Sequence, residues 1–230
     1  TITETSATSG IFDVTLPTVA ETVAGAPDGT IRLDILAAAT VSDVIGNDYN
    51  LTFNTGEVYA IDQTPPTVTS IVRNSPTSPT NSTTVVFTVT FNDDIDATTF
   101  TDADLTKTVT GTAATVGAAT IAETTPTSGI FTVTLPGVSG DGTIRIDLLP
   151  AASINDDTGN DYNATFNTGE TFTIDSTVPT VTFIDISAPT ITEGWSTVNG
   201  TSSSSLTWTV TFNESVVGVD ETDFTLVAPG

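Results

Sequence analysis

The chain has 230 residues, with 28 acidic side chains against 4 basic ones, a formal charge of −24, and neither cysteine nor histidine. Nothing in such a chain neutralises phosphates, so nucleic acid and direct insertion into an anionic membrane are excluded, and cations are the natural counterpart. Thiol or imidazole nucleophiles and metal sites built from sulfur or imidazole nitrogen fall away with the missing residues, leaving carboxylates and hydroxyls as the available chemistry.

Mean hydropathy is slightly positive at +0.15, and Val, Ile, Leu and Phe recur in short runs, so the acidity belongs to a folded chain. No starting Met, signal peptide or membrane-spanning apolar run is present, and the chain reads as a mature or excised piece.

In chain order, the first signal is self-similarity. Ser9-Gly10-Ile11-Phe12 returns as Ser128-Gly129-Ile130-Phe131, Asp28-Gly29-Thr30-Ile31-Arg32 as Asp141-Gly142-Thr143-Ile144-Arg145, and Gly46-Asn47-Asp48-Tyr49 as Gly159-Asn160-Asp161-Tyr162. Ile61-Asp62-Gln63-Thr64-Pro65-Pro66-Thr67-Val68 returns as Ile174-Asp175-Ser176-Thr177-Val178-Pro179-Thr180-Val181. Beyond that second copy, Val210-Thr211-Phe212-Asn213 repeats Val89-Thr90-Phe91-Asn92. The prolines keep both stretches extended, as hinges between successive domains. Residues 1–63 are therefore the C-terminal half of a repeat, 64–176 a complete repeat, and 177–230 the N-terminal half of a third.

Within the complete repeat, period-two alternation predicts seven strands, near 67–73, 84–92, 103–109, 113–122, 129–136, 142–149 and 169–175. Val85, Phe87, Val89 and Phe91 share one face, and Phe87 and Trp208 hold equivalent inward positions. Such faces require burial against a second sheet, so the predicted architecture is all-β: tandem immunoglobulin-like sandwiches in a linear array.

The blocks Val210 to Val216, Gly218 to Leu226, Gly140 to Arg145 and Asp157 to Asn160, with the hinge around Asp175 and Pro179, resemble the tandem bacterial Ig-like repeats of large surface proteins and adhesins. The resemblance implies an extracellular or cell-surface stalk or filament, with calcium near the domain junctions. The partners expected are neighbouring repeats or subunits, joined head to tail by completion of half-domains, and surface glycans. A glycan- or protein-binding module, with Trp195 or the loops of the leading pole in contact, is the competing reading.

If the strands alternate in direction, three loops return to the pole of the hinge. Asp62 is then expected to meet Asp93 and Asp94 and the loop carrying Asp156, Asp157, Asn160 and Asp161, a set of oxygen ligands suited to a hard cation. Asp175 with Asn213 and Glu214 is the partial equivalent in the third repeat, and Asp43, Asn47 and Asp48 in the first. Arg145 and Asp147, like Arg32 and Asp34, are expected to form an exposed cross-strand ion pair on the outer sheet face. Asn50, Asn81, Asn163, Asn199 and Asn213 head glycosylation sequons. The carboxylates have no fixed spacing and no cleft, so no enzymatic activity is expected.

Overall fold

The computed structural model of the chain describes residues 1–7, 9–15, 28–114, 117–150, 152–188 and 207–227. They form β1 (Ile2–Glu4), β2 (Phe12–Val14), β3 (Gly29–Arg32), β4 (Val58–Ile61), β5 (Val68–Ser75), β6 (Thr84–Phe91) and β7 (Leu105–Gly111). After these come β8 (Thr120–Glu123), β9 (Ile130–Pro136), β10 (Gly142–Leu148), β11 (Phe172–Ile174), β12 (Val181–Ala188) and β13 (Thr207–Phe212). The chain is all-β, its sheets are antiparallel, and it divides into the units Thr1–Ile174 and Asp175–Gly230.

In the first unit, β5 to β11 make a four-stranded sheet of order β5-β6-β9-β8 and a three-stranded sheet of order β11-β10-β7. Alternation explains their packing. Val85, Phe87, Val89 and Phe91 of β6, Phe131, Val133 and Leu135 of β9, and Ile144, Ile146 and Leu148 of β10 are all buried in one core. Burial of each such side chain contributes about 1.5–3 kcal/mol, which makes this β-sandwich-like arrangement the stable part of the chain. Phe91, Phe100 and Phe131 meet edge to face at 5.3–5.9 Å, and Tyr162 joins Phe91 at 6.3 Å.

Three strands begin two or more residues later than the sequence expectation. Of the described residues expected in a strand over 113–122, those from Thr120 belong to β8 and Ala114 makes an isolated bridge with Ser139; the register Thr120↔Thr134 sets Pro136 opposite Ala118, and Pro136 has no N–H to give the ladder. The strand expected from 103 starts at Leu105, because Thr101 opens a single 3₁₀ turn over Asp102–Asp104. Residues 169–171 are not part of β11: the Glu170 N–H donates to the Ile71 carbonyl at 2.9 Å, and its carboxylate accepts from the Arg73 N–H at 2.8 Å.

The remaining sheets are two-stranded. β1 pairs with β2 and β3 with β4, in the registers Ile2↔Val14 and Gly29↔Ile61, matching Ile121↔Val133 and Gly142↔Ile174 of the complete repeat. In the second unit, β12 pairs with β13 through the same irregularity that β5 and β6 show: Val181↔Phe212 then Phe183↔Thr211, against Val68↔Phe91 then Ser70↔Thr90. Trp208, expected in a core, is 43% exposed, because among the described residues no second sheet covers β13.

The expected Arg145–Asp147 pair is corrected on two counts. It joins residues two apart on one strand, and Asp147 is buried, accepting also from the Thr108 hydroxyl at 2.6 Å.

Candidate metal centre

The stretch from Ile61 to Val68, expected to be a hinge and called so below, is tied to β6 independently of its carboxylate. Asn92, the residue after β6, accepts the Thr67 N–H on Oδ1 at 2.6 Å and donates its own N–H to the Thr67 carbonyl at 3.0 Å. Beneath it, Phe91 is fixed in the aromatic cluster, and Ile95, itself buried, forms an isolated antiparallel bridge with Asp156. The Asp96 N–H donates to the Asn155 carbonyl at 3.0 Å. These bonds bring the hinge, the loop after β6 and the loop after β10 to one pole.

At that pole one carboxylate oxygen each from Asp62, Asp93 and Asp156 lie within 4.8 Å of one another. Asp156 is held most firmly. Its Oδ1 accepts from the backbone N–H groups of Thr158 and Asn160 at 2.9 and 2.8 Å and from the Thr158 hydroxyl, while its Oδ2 accepts from Asn160 Nδ2 at 2.8 Å. Burial pushes the Asp156 carboxyl up, and these hydrogen bonds outweigh it, leaving its pKa below the ordinary value. Asn160 Nδ2 also reaches the Asp62 carbonyl at 3.3 Å. That amide nitrogen clamps the loop to the hinge as a donor, which leaves Oδ1 as the atom Asn160 could offer a metal.

The other expected ligands separate from this trio. Asp94 faces Asp157 and Glu123; burial first, then the repulsion of those two carboxylates, holds its carboxyl above the ordinary range. Asp161 accepts from Asn155 Nδ2 at 2.5 Å. In the second unit Asp175 accepts the Thr177 N–H at 3.2 Å, repeating the bond from Thr64 to Asp62, and Glu214 Oε1 is buried without a hydrogen-bond partner. In the first segment Asp43 accepts from Ile45 and Asn47 as Asp156 does from Thr158 and Asn160.

Two carboxylates at this pole were not among the expected ligands. Asp28 accepts the Gln63 N–H at 3.0 Å and the Thr64 hydroxyl at 2.7 Å, fastening the first segment to the hinge. Its signal is the Asp-Gly pair that recurs before a strand as Asp28-Gly29 and Asp141-Gly142. The other is Glu123, at the end of β8.

The four basic side chains are engaged elsewhere: Arg32 with Asp34, Arg73 with Glu170, Lys107 with Asp102 and Arg145 with Asp147. None of these pairs supplies a counter-ion to Asp62, Asp93 or Asp156. Of the sequon asparagines, Asn50, Asn81 and Asn163 are exposed. Asn213 Oδ1 accepts the Thr180 N–H at 2.6 Å, while Asn199 and Trp195 lie outside the described residues.

No protein-family model, curated protein or solved structure matches the chain.

The donor set fits a hard divalent cation. Calcium binds oxygens at about 2.3–2.6 Å, so two ligands of one ion lie at most about 5 Å apart, and the trio meets that limit with oxygen alone.

Proposed function

We propose that the chain is a structural repeat module of an extracellular stalk or filament of adhesin type, built of immunoglobulin-like sandwiches and stiffened by calcium at its hinges. The observation that carries this reading is the convergence of Asp62, in the hinge itself, with Asp93 and Asp156 of the following repeat. Support for the fold comes from the two sheet orders: with β5 to β11 lettered A to G, they are ABED and CFG, the order of constant-type immunoglobulin domains.

In this reading Asp62, Asp93 and Asp156 hold the ion, with water or backbone carbonyls completing its shell. The ion supplies charge neutralisation and a cross-link between the hinge and two loops. Asn160 and Thr158 orient Asp156, and Asn92 keeps the hinge in register with β6. Many weak cross-links along an array resist bending without making any one junction hard to form, and their affinity is expected in the range of about 10⁻⁴–10⁻³ M typical of extracellular modules.

Calorimetric titration of calcium into the full chain tests the site. Saturable binding that the double substitution Asp62→Asn and Asp156→Asn abolishes is expected; binding unchanged in that variant would remove the ion from the hinge.

A further inference from the structure

The hinge is held from two sides, and one residue takes part in both. The register Gly29↔Ile61 sets Asp28, just before β3, opposite Asp62, just after β4. From there Asp28 reaches the next two residues: its Oδ1 accepts the Gln63 N–H at 3.0 Å and its Oδ2 the Thr64 hydroxyl at 2.7 Å. Thr64 also donates its N–H to Asp62 Oδ1 at 3.0 Å. On the other side Asn160, from the loop that carries Asp156, donates from Nδ2 to the Asp62 carbonyl at 3.3 Å. Asp62 thus stands between bonds that lead back to β3 and bonds that lead to the loop after β10, all within the first unit.

We propose that Asp28 is a positioning residue for the ion site, so that a cation held by Asp62, Asp93 and Asp156 also tightens the junction to the β3–β4 hairpin that precedes the hinge. The inference rests on the metal reading given above and adds to it the regulation of that site. The coupling has a definite sign. Both carboxylates reach the same Thr64, so closing the Asp28 latch sets a second negative charge beside Asp62, and the two repel. A divalent ion at Asp62 removes that repulsion and tightens the latch. By linkage the same factor acts in reverse, and a closed latch raises the affinity for the ion.

Thr64 separates the two holds chemically: its N–H serves Asp62 and its hydroxyl serves Asp28. The sequence of the next hinge keeps the same residues in place, with Asp141-Gly142 for Asp28-Gly29 and Ser176-Thr177 for Gln63-Thr64. A backbone N–H is present whatever the side chain, so Gln and Ser alternate at the first of those positions. The hydroxyl must come from a side chain, and Thr stands at the second position both times.

Calorimetric titration of calcium into the full chain and into its Thr64→Val and Asp28→Ala variants tests the coupling, together with hydrogen exchange of β4 with and without calcium. Thr64→Val keeps the formal charge and the N–H bond to Asp62 and removes only the hydroxyl that Asp28 holds. Calcium affinity is expected to fall about fivefold in that variant, and by at least as much in Asp28→Ala. Calcium is expected to slow exchange in Val58–Ile61 of the wild type and to leave it unchanged in both variants. Calcium bound at wild-type strength by Thr64→Val overturns the coupling and leaves the metal reading standing; if Asp28→Ala alone is weakened, Asp28 acts through its charge and not as a latch. A wild type that binds no calcium sinks the metal reading, and the coupling with it. Exchange in β6 and β9 is expected to be the same in all three proteins, so that a weakened site is read as a lost latch and not as a lost fold.

Discussion

Gly129 and Gly10 share a sequence motif and a left-handed backbone, with φ of 60° and 67°, and differ in what surrounds them. Gly129→Ala drives a Cβ into the Asp93 backbone and is expected to cost more than about 2 kcal/mol in denaturant unfolding, while Gly10→Ala costs only the left-handed penalty of about 1 kcal/mol. Asp104 is the most committed carboxylate outside the hinge. Its Oδ1 accepts from the Ser153 N–H and hydroxyl, and its Oδ2 from those of Thr101, at 2.7–3.0 Å. Asp104→Ala strands those donors and is expected to cost about 3 kcal/mol. Nothing in period-two patterning marks Asp104. The signal that finds it is a capping pattern, Thr101-x-x-Asp104, repeated as Asp220-x-x-Asp223.

Acid acts on these groups with opposite signs. For Asp104 burial raises the pKa, and the bonds from Ser153 and Thr101 outweigh it, so the folded value lies below 3.8, as it does for Asp156. Their stabilisation is present above that value and lost as pH falls through the lower folded one. Asp94, held up by burial and by Asp157 and Glu123, stabilises the fold when protonated and loses that contribution as pH rises. Asp94→Asn is therefore expected to raise the Tm at neutral pH without calcium, and thermal scans check it.

At the scale of elements, the same residue type has different weight depending on the strand across from it. Phe131 on β9 is fully buried against Phe91 and Phe100, and Phe131→Ala is expected to cost about 3–5 kcal/mol; Phe12→Ala, on a half-exposed face, is expected to cost under about 1 kcal/mol in dilute chain. Strands β6, β9 and β10 were legible because one face is buried and their alternation is strict. Strand β8 was not, because its length is decided by Pro136 on the neighbouring strand, and the start of β11 was not, because Glu170 turns to β5. The pole that gathers Asp62, Asp93 and Asp156 follows from strand direction alone. Which oxygens meet there does not: Asp94 faces Asp157, and Asp161 is held by Asn155, in contacts that no spacing encodes.

For the whole molecule, 28 acidic groups and 4 basic ones leave most carboxylates to be neutralised from outside, and the four pairs already formed lie away from the hinge trio. On the proposed function, a cation at Asp62 would change how the hinge moves more than how the core holds together. Hydrogen exchange of the backbone from Asp62 to Val68 measures this directly, in the full chain with calcium and with an equal ionic strength of potassium. Exchange there is expected to slow in calcium, to return to the potassium rate in Asp62→Asn with Asp156→Asn, and to stay unchanged in β6 and β9 throughout. Hinge amides that exchange equally fast in both salts while calcium is bound would contradict a calcium-stiffened junction.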